Sequence, residues 1–150
     1  MSNLTSSEAQ RARFLNDAVL SASPARLVTM LYDRLVLDID RAARAQRSGD
    51  IAESNTQLTH AQDIVTELMV TLDVAAWSGG PALYSLYSHL LTELVESNVT
   101  HDADRTDACR AVVEPLRSAW HEAAQELSQA TEGRATASAG QAQGGLLGVG

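Results

Sequence analysis

The stretch SPARLVTMLYDRLVL, residues 23–37, decides how the rest of the chain is read. Ser23 is a preferred N-cap residue. Pro24 follows it in a first-turn position, where a missing N–H costs nothing. Leu27, Leu31, Leu35 and Ile39 then recur four apart, so they share one face of a helix. That helix is predicted to run from about Pro24 to Arg47 and to end at Gly49. Tyr32 and Asp33 sit in the middle of the apolar run, and core packing alone does not call for them.

Outward from this stretch the same periodicity returns three times. Ile51, Leu58, Ala61, Val65, Leu68 and Leu72 predict a second helix that begins near Asp50 or Ile51. It stops in VAAWSGGP, residues 74–81, where two glycines and Pro81 break any regular element. The third helix starts near Pro81, with Leu83, Tyr87, Leu90 and Leu94 on one seam and Tyr84, Leu91 and Val95 on a second beside it. Two seams predict the most buried helix of the set. The fourth lies beyond HDADRTD, residues 101–107, and carries Cys109, Val113, Leu116, Trp120, Ala123 and Leu127. Cys109 and Trp120 read as core residues, and Pro115 is expected to kink this helix without breaking it. No strand pattern competes, so the fold is predicted to be all-α, an antiparallel four-helix bundle over residues 23–130. Residues 1–22 make an N-terminal segment, partly mobile or docked on the bundle. Residues 131–150 are rich in Gly, Ala, Ser and Gln and are predicted to be a disordered tail.

Composition removes several functions. Nineteen acidic residues face eleven basic ones, all arginine, for a net charge of −8, which disfavours a nucleic-acid partner. The single cysteine cannot form an internal disulfide or a cysteine-based zinc site. No 18-residue apolar run predicts a membrane span, and the first residues lack an apolar signal core. A cytoplasmic protein is expected, or one exported without a cleaved signal. The His121-Glu122 pair resembles a zinc-protease motif, but Gln125 stands where the second histidine belongs. No Glu-x-x-His pair, phosphate loop or nucleophile with a base is found, so neither an enzyme nor a cofactor is expected. What remains is a helical protein that binds another protein. Trp77-Ser78-Gly79 also matches the Trp-x-Gly turn of small type VII secreted hairpins, and a structural helical oligomer is a further alternative.

In order along the chain, several residues resemble the flagellar secretion chaperone family, FliS. They are Ser23-Pro24, Leu31-Tyr32-Asp33, Gly49-Asp50, Asn55, Leu58, Ala61, Ile64, Leu68, Leu72-Asp73, Leu86-Tyr87, Leu94, Asn98, Leu116-Arg117 and Ala119-Trp120. The sequence departs from the family pattern at Arg34, His60, Ser97 and Phe14. The resemblance implies a chaperone that binds the C-terminal segment of flagellin, blocks premature polymerisation and delivers its client to a membrane protein of the export gate. It implies helix-in-groove recognition, coupled to folding of the client, by a monomer or weak homodimer. The candidate partner contacts it suggests are Phe14, Leu15, Tyr32, Asp33, Asn55, Ile64, Leu68, Tyr87, Leu94 and Asn98. Tyr32 is expected at the edge of the core with its hydroxyl near water, and Asp33 is expected to cap or to pair with a backbone group or an arginine. Asn98 is expected to cap the end of the third helix.

Overall fold

The computed structural model describes residues 9–10, 24–76 and 78–147. Among these, four helices form an up-and-down bundle: α1 (Pro24–Arg47), α2 (Ile51–Thr71), α3 (Gly80–Thr100) and α4 (Ala103–Leu147). No strand occurs among the described residues. Each helix packs on two neighbours, α1 on α2 and α4, and α3 on α2 and α4, so α1 and α3 stand diagonally.

The helix ends follow from local chemistry. After α1, Gly49 takes the left-handed conformation (φ 76°). This lets Asp50 N–H reach the carbonyl of Ala45 (2.8 Å) and Gly49 N–H that of Gln46 (3.2 Å), a Schellman ending. Asp50 at once caps α2, its Oδ1 accepting from Glu53 N–H at 3.1 Å. Pro81 stands in the first turn of α3. Gly80 must be a glycine, since a Cβ there would lie 2.2 Å from the carbonyl oxygen of Val74. Between α3 and α4, His101 takes the left-handed position (φ 54°). Asp102 then accepts from the N–H groups of Asp104 (3.0 Å) and Arg105 (3.2 Å). The fourth helix therefore starts inside the acidic stretch rather than beyond it.

The core is aliphatic, as a chain with few aromatics requires. Leu35 and Ile39 of α1 meet Leu58, Ala61, Val65 and Leu68 of α2, Leu83, Leu90 and Leu94 of α3, and Cys109 and Val113 of α4. Each fully buried leucine or isoleucine contributes about 1.5–3 kcal/mol by leaving water. Trp120 is half-buried against this core.

Three further expectations change. Ile51, placed on the α2 seam, is 58% exposed, because it is the first residue of its helix and overhangs the bundle. The second seam of α3 faces outward, with Tyr84 42% and Val95 40% exposed. A bundle helix has only two neighbours, so one face stays outside however apolar it is. On α4 the seam holds through Trp120, then Ala123 and Leu127 turn to solvent. Beyond this seam α4 continues as helix to Leu147. Its residues 125–140 are all exposed, so this stretch is helix without packing. Once a helix is nucleated, each added residue gains a backbone hydrogen bond. The helix runs through Pro115 unbroken, as expected.

Candidate functional site

Tyr32 and Asp33, adjacent on α1, point to different places. Tyr32 is fully buried, which corrects its expected position at a wet edge. Its hydroxyl reaches diagonally across the bundle to that of Tyr87 on α3, 2.6 Å away. Each phenol supplies the hydrogen-bonding partner that burial would otherwise deny the other. Burial pushes the Tyr32 phenol far above its ordinary range, helped by the bond to Tyr87, while the Trp120 indole acts weakly the other way. Burial likewise raises Tyr87. Both hydroxyls therefore stay neutral and serve the fold.

Asp33 belongs to the α1/α4 seam. Arg117 Nε donates to its Oδ1 at 2.7 Å, and His121 Nε2 lies 2.6 Å from the same oxygen. Desolvation opposes its ionisation, but the His121 and Arg117 hydrogen bonds outweigh this and hold the carboxyl below its ordinary value. One heptad along, Asp40 accepts from Arg110 Nε at 2.7 Å. One heptad further, Arg47 pairs with Asp104 (3.4 Å) and Asp107. These rungs descend α1 as they ascend α4, so they fix an antiparallel register. At the same end Gln46 bonds the Ser97 carbonyl (3.0 Å) and accepts from Thr106 Oγ1 (2.7 Å), which ties α3 into the seam.

The α1/α2 seam holds a buried charge. Asp38 is completely enclosed and pairs with His60 of α2. Arg34 Nε lies 3.0 Å from Asp38 Oδ1, close enough for an ion pair although the alignment is not that of a hydrogen bond.

The α2/α3 face is different. Among the described residues its one polar link is Asn98 Nδ2 donating to Asn55 Oδ1 at 2.9 Å, so Asn98 joins two helices instead of capping its own. That bond identifies the flank of α3 that looks toward α2. On the same flank Tyr84, Leu91, Val95 and Val99 follow intervals of seven, four and four, making one stripe. Tyr84, Val95 and Val99 are exposed, Val99 by 70%, and Leu91 is half-buried. On α2 the half-buried Met69 and the exposed Ile51 are spaced along the facing flank with Asn55 and Gln62. Two packed helices leave a groove along their junction, and here its α3 side is apolar.

The structure thus sorts the candidate residues. Tyr32, Tyr87, Ile64, Leu68 and Leu94 are interior. Asp33, Asn55 and Asn98 are at the surface, the last two beside the groove. Phe14 and Leu15 lie outside the described residues, as does Trp77 of the Trp-x-Gly turn. Three of the groove's apolar residues, Tyr84, Leu91 and Val95, were visible in the sequence as the second seam of α3, but that seam reads equally well as core.

Nothing in the described residues resembles a reaction centre. No group of three His, Cys, Asp or Glu side chains among them is placed to hold a metal ion. Cys109 is buried, and burial pushes its thiol up to about 11, which keeps it protonated and unreactive. The recess beside it, lined by His89, Leu90, Glu93, Ala108 and Val112, encloses about 110 Å³.

The sequence matches the family model described as flagellar protein FliS over residues 6–127. The chain belongs to the FliS family. It is 29% identical over 116 residues to the flagellar secretion chaperone FliS of Bacillus subtilis (strain 168), covering 75% of this chain and 84% of the relative. It is 28% identical over 110 residues to that of Escherichia coli (strain K12), covering 72% and 81%. It is 27% identical over 118 residues to the chaperone of Salmonella typhimurium, covering 76% and 86%. FliS relatives are secretion chaperones and not enzymes. The Trp-x-Gly and structural-oligomer readings are not favoured. No described helix is long and apolar enough to cross a membrane.

Proposed function

We propose that this FliS-family chain binds the C-terminal segment of flagellin in the cytoplasm, keeps it from polymerising and holds it ready for flagellar type III export. The observation that carries this reading is the uncovered apolar stripe Tyr84–Leu91–Val95–Val99 beside α2. An amphipathic client helix laid in that groove would bury what the bundle leaves open, with the Asn55–Asn98 pair on its edge. Ordering the client costs free energy that offsets much of the contact gain, so the complex stays reversible without a nucleotide. Phe14 and Leu15 are proposed to cover this groove when it is empty or to contact the export-gate membrane protein. The chaperone is proposed to act as a monomer or weak homodimer.

The test is calorimetric titration of the full-length protein with the C-terminal segment of flagellin from the same organism. Val95→Glu is expected to weaken binding by about tenfold or more, since a carboxylate would be desolvated in the groove. Val70→Glu, on the outer face of α2 and 75% exposed, is expected to leave it unchanged. Equal losses from both variants would remove the groove assignment. Failure of the wild-type protein to bind would remove flagellin as the client.

A further inference from the structure

The outer face of α1 carries Arg26, Met30, Arg34, Leu37, Arg41 and Arg44 at intervals of four, four, three, four and three. That spacing makes one stripe, about 27 Å long at helical rise. All four arginines are exposed, Met30 is 45% exposed and Leu37 is half-buried. In a chain of net charge −8, five of the eleven arginines lie on this one helix. Of the aspartates of α1, only the enclosed Asp38 pairs with the stripe, through Arg34. Asp33 and Asp40 are taken by Arg117, His121 and Arg110 of α4, and Asp38 is enclosed with His60.

Structural duties explain part of the pattern. Arg44 suits the negative end of the helix and donates to the Asp40 carbonyl at 3.4 Å. Arg34 pairs with Asp38. They do not explain Arg41, which has no ion pair among the described residues, nor two large apolar side chains set between cations on the solvent face. The stripe is also narrow. Glu53 and Glu67 stand one heptad either side of His60, on the α2 flank that faces α1, and Glu114 stands on the α4 side beside Arg117.

We propose that this stripe docks one acidic amphipathic helix of a partner protein, with Met30 and Leu37 as apolar anchors and Arg34, Arg41 and Arg44 facing its carboxylates. The width selects the partner. A helix about 10 Å across reads the cationic strip alone. An anionic membrane or a nucleic-acid duplex is broader than a Debye length of about 8–10 Å and would also meet Glu53, Glu67 and Glu114. Because α1 is diagonal to α3, the stripe lies away from the α3 groove. Both surfaces can be occupied at once, and this inference does not depend on flagellin being the client.

The experiment uses the full-length protein and a labelled synthetic helix with glutamates flanking a leucine stripe, followed by fluorescence anisotropy. Its counterpart with lysine in place of every glutamate serves as the charge control. The acidic helix is expected to bind, with affinity falling about tenfold between ~50 and ~300 mM salt, and the basic one is expected not to bind. Arg41→Glu combined with Arg44→Glu is expected to remove binding while helicity and melting stay intact, and Val95→Glu is expected to leave it unchanged. The proposal is overturned if the basic helix binds as well as the acidic one. It is also overturned if the double variant retains wild-type affinity, or if the protein sediments with phosphatidylserine vesicles while ignoring the acidic helix.

Discussion

The α1/α4 seam and the α2/α3 face are built from helices of the same bundle, yet they are closed in opposite ways. Three sets of ion pairs at Asp33, Asp40 and Arg47 bind α1 to α4, and the Gln46–Thr106 bond locks one end. Among the described residues, the polar contact between α2 and α3 is a single amide pair, and apolar side chains stand outside it. Surface ion pairs add little stability, with a usual range of about 0–1 kcal/mol each. The α1/α4 ladder therefore acts mainly by excluding other registers. The α2/α3 face lacks that specification and keeps a surface that solvent disfavours. Under the proposed function, the difference would separate a half that holds its shape from a half that receives the client.

The largest test of this division compares adjacent residues on α3. Leu94 is fully buried, and Leu94→Ala is expected to lower stability by about 2–5 kcal/mol. Val95 is 40% exposed, and Val95→Ser is expected to change it by about 0.5 kcal/mol or less. Denaturant midpoints measure both, and similar losses would show that the second seam is core after all.

The tyrosine pair gives the next effect. Tyr32→Phe leaves the Tyr87 hydroxyl buried without its partner and is expected to cost about 1–3 kcal/mol. Removing both hydroxyls is expected to cost less than the sum of the two single changes, because no orphan remains. A strictly additive double-mutant cycle would mean that the two rings do not share a hydrogen bond.

The smallest effect concerns the ladder. Asp33→Asn is expected to lower stability by about 0.2–1 kcal/mol at neutral pH and low salt, and by less as salt rises. The folded state holds Asp33 below its ordinary value of 3.8. Its contribution is therefore present above that value in the wild type and is lost as pH falls below it. The variant and the wild type should converge in acid, as followed by thermal melts across pH. A difference that persisted in acid would assign the loss to packing.

Much of the fold was legible because its determinants are local. Pro24, Gly49, Asp50 and Pro81 mark helix ends by their own backbone chemistry, and the limits of α1 fall where they place them. Single-seam helices also declare which face is inside. The misread features depend on distant partners. Tyr32 lies in the interior because Tyr87, 55 residues away, offers it a hydroxyl, and no local pattern encodes that. Asn98 links helices because Asn55 is opposite, a pairing set by the α2–α3 register. The two seams of α3 could not be ranked, since an apolar residue that packs and one that waits for a partner have the same chemistry. The family pattern pointed to Ile64, Leu68 and Leu94, whose side chains the bundle keeps inside.

The ladder's spacing also carries a handedness. Asp33, Asp40 and Arg47 are seven residues apart, whereas a straight helix drifts about 20° in every seven. Over two such steps a straight α1 would carry its last rung about 40° off the seam. Repeated contact at sevens favours a gentle left-handed winding of α1 and α4 about each other. It also sets which length changes the seam can absorb. One residue inserted between Asp33 and Asp40 would turn every later rung by about 100° and point it away from α4. A whole heptad inserted in both helices would return each arginine to an aspartate.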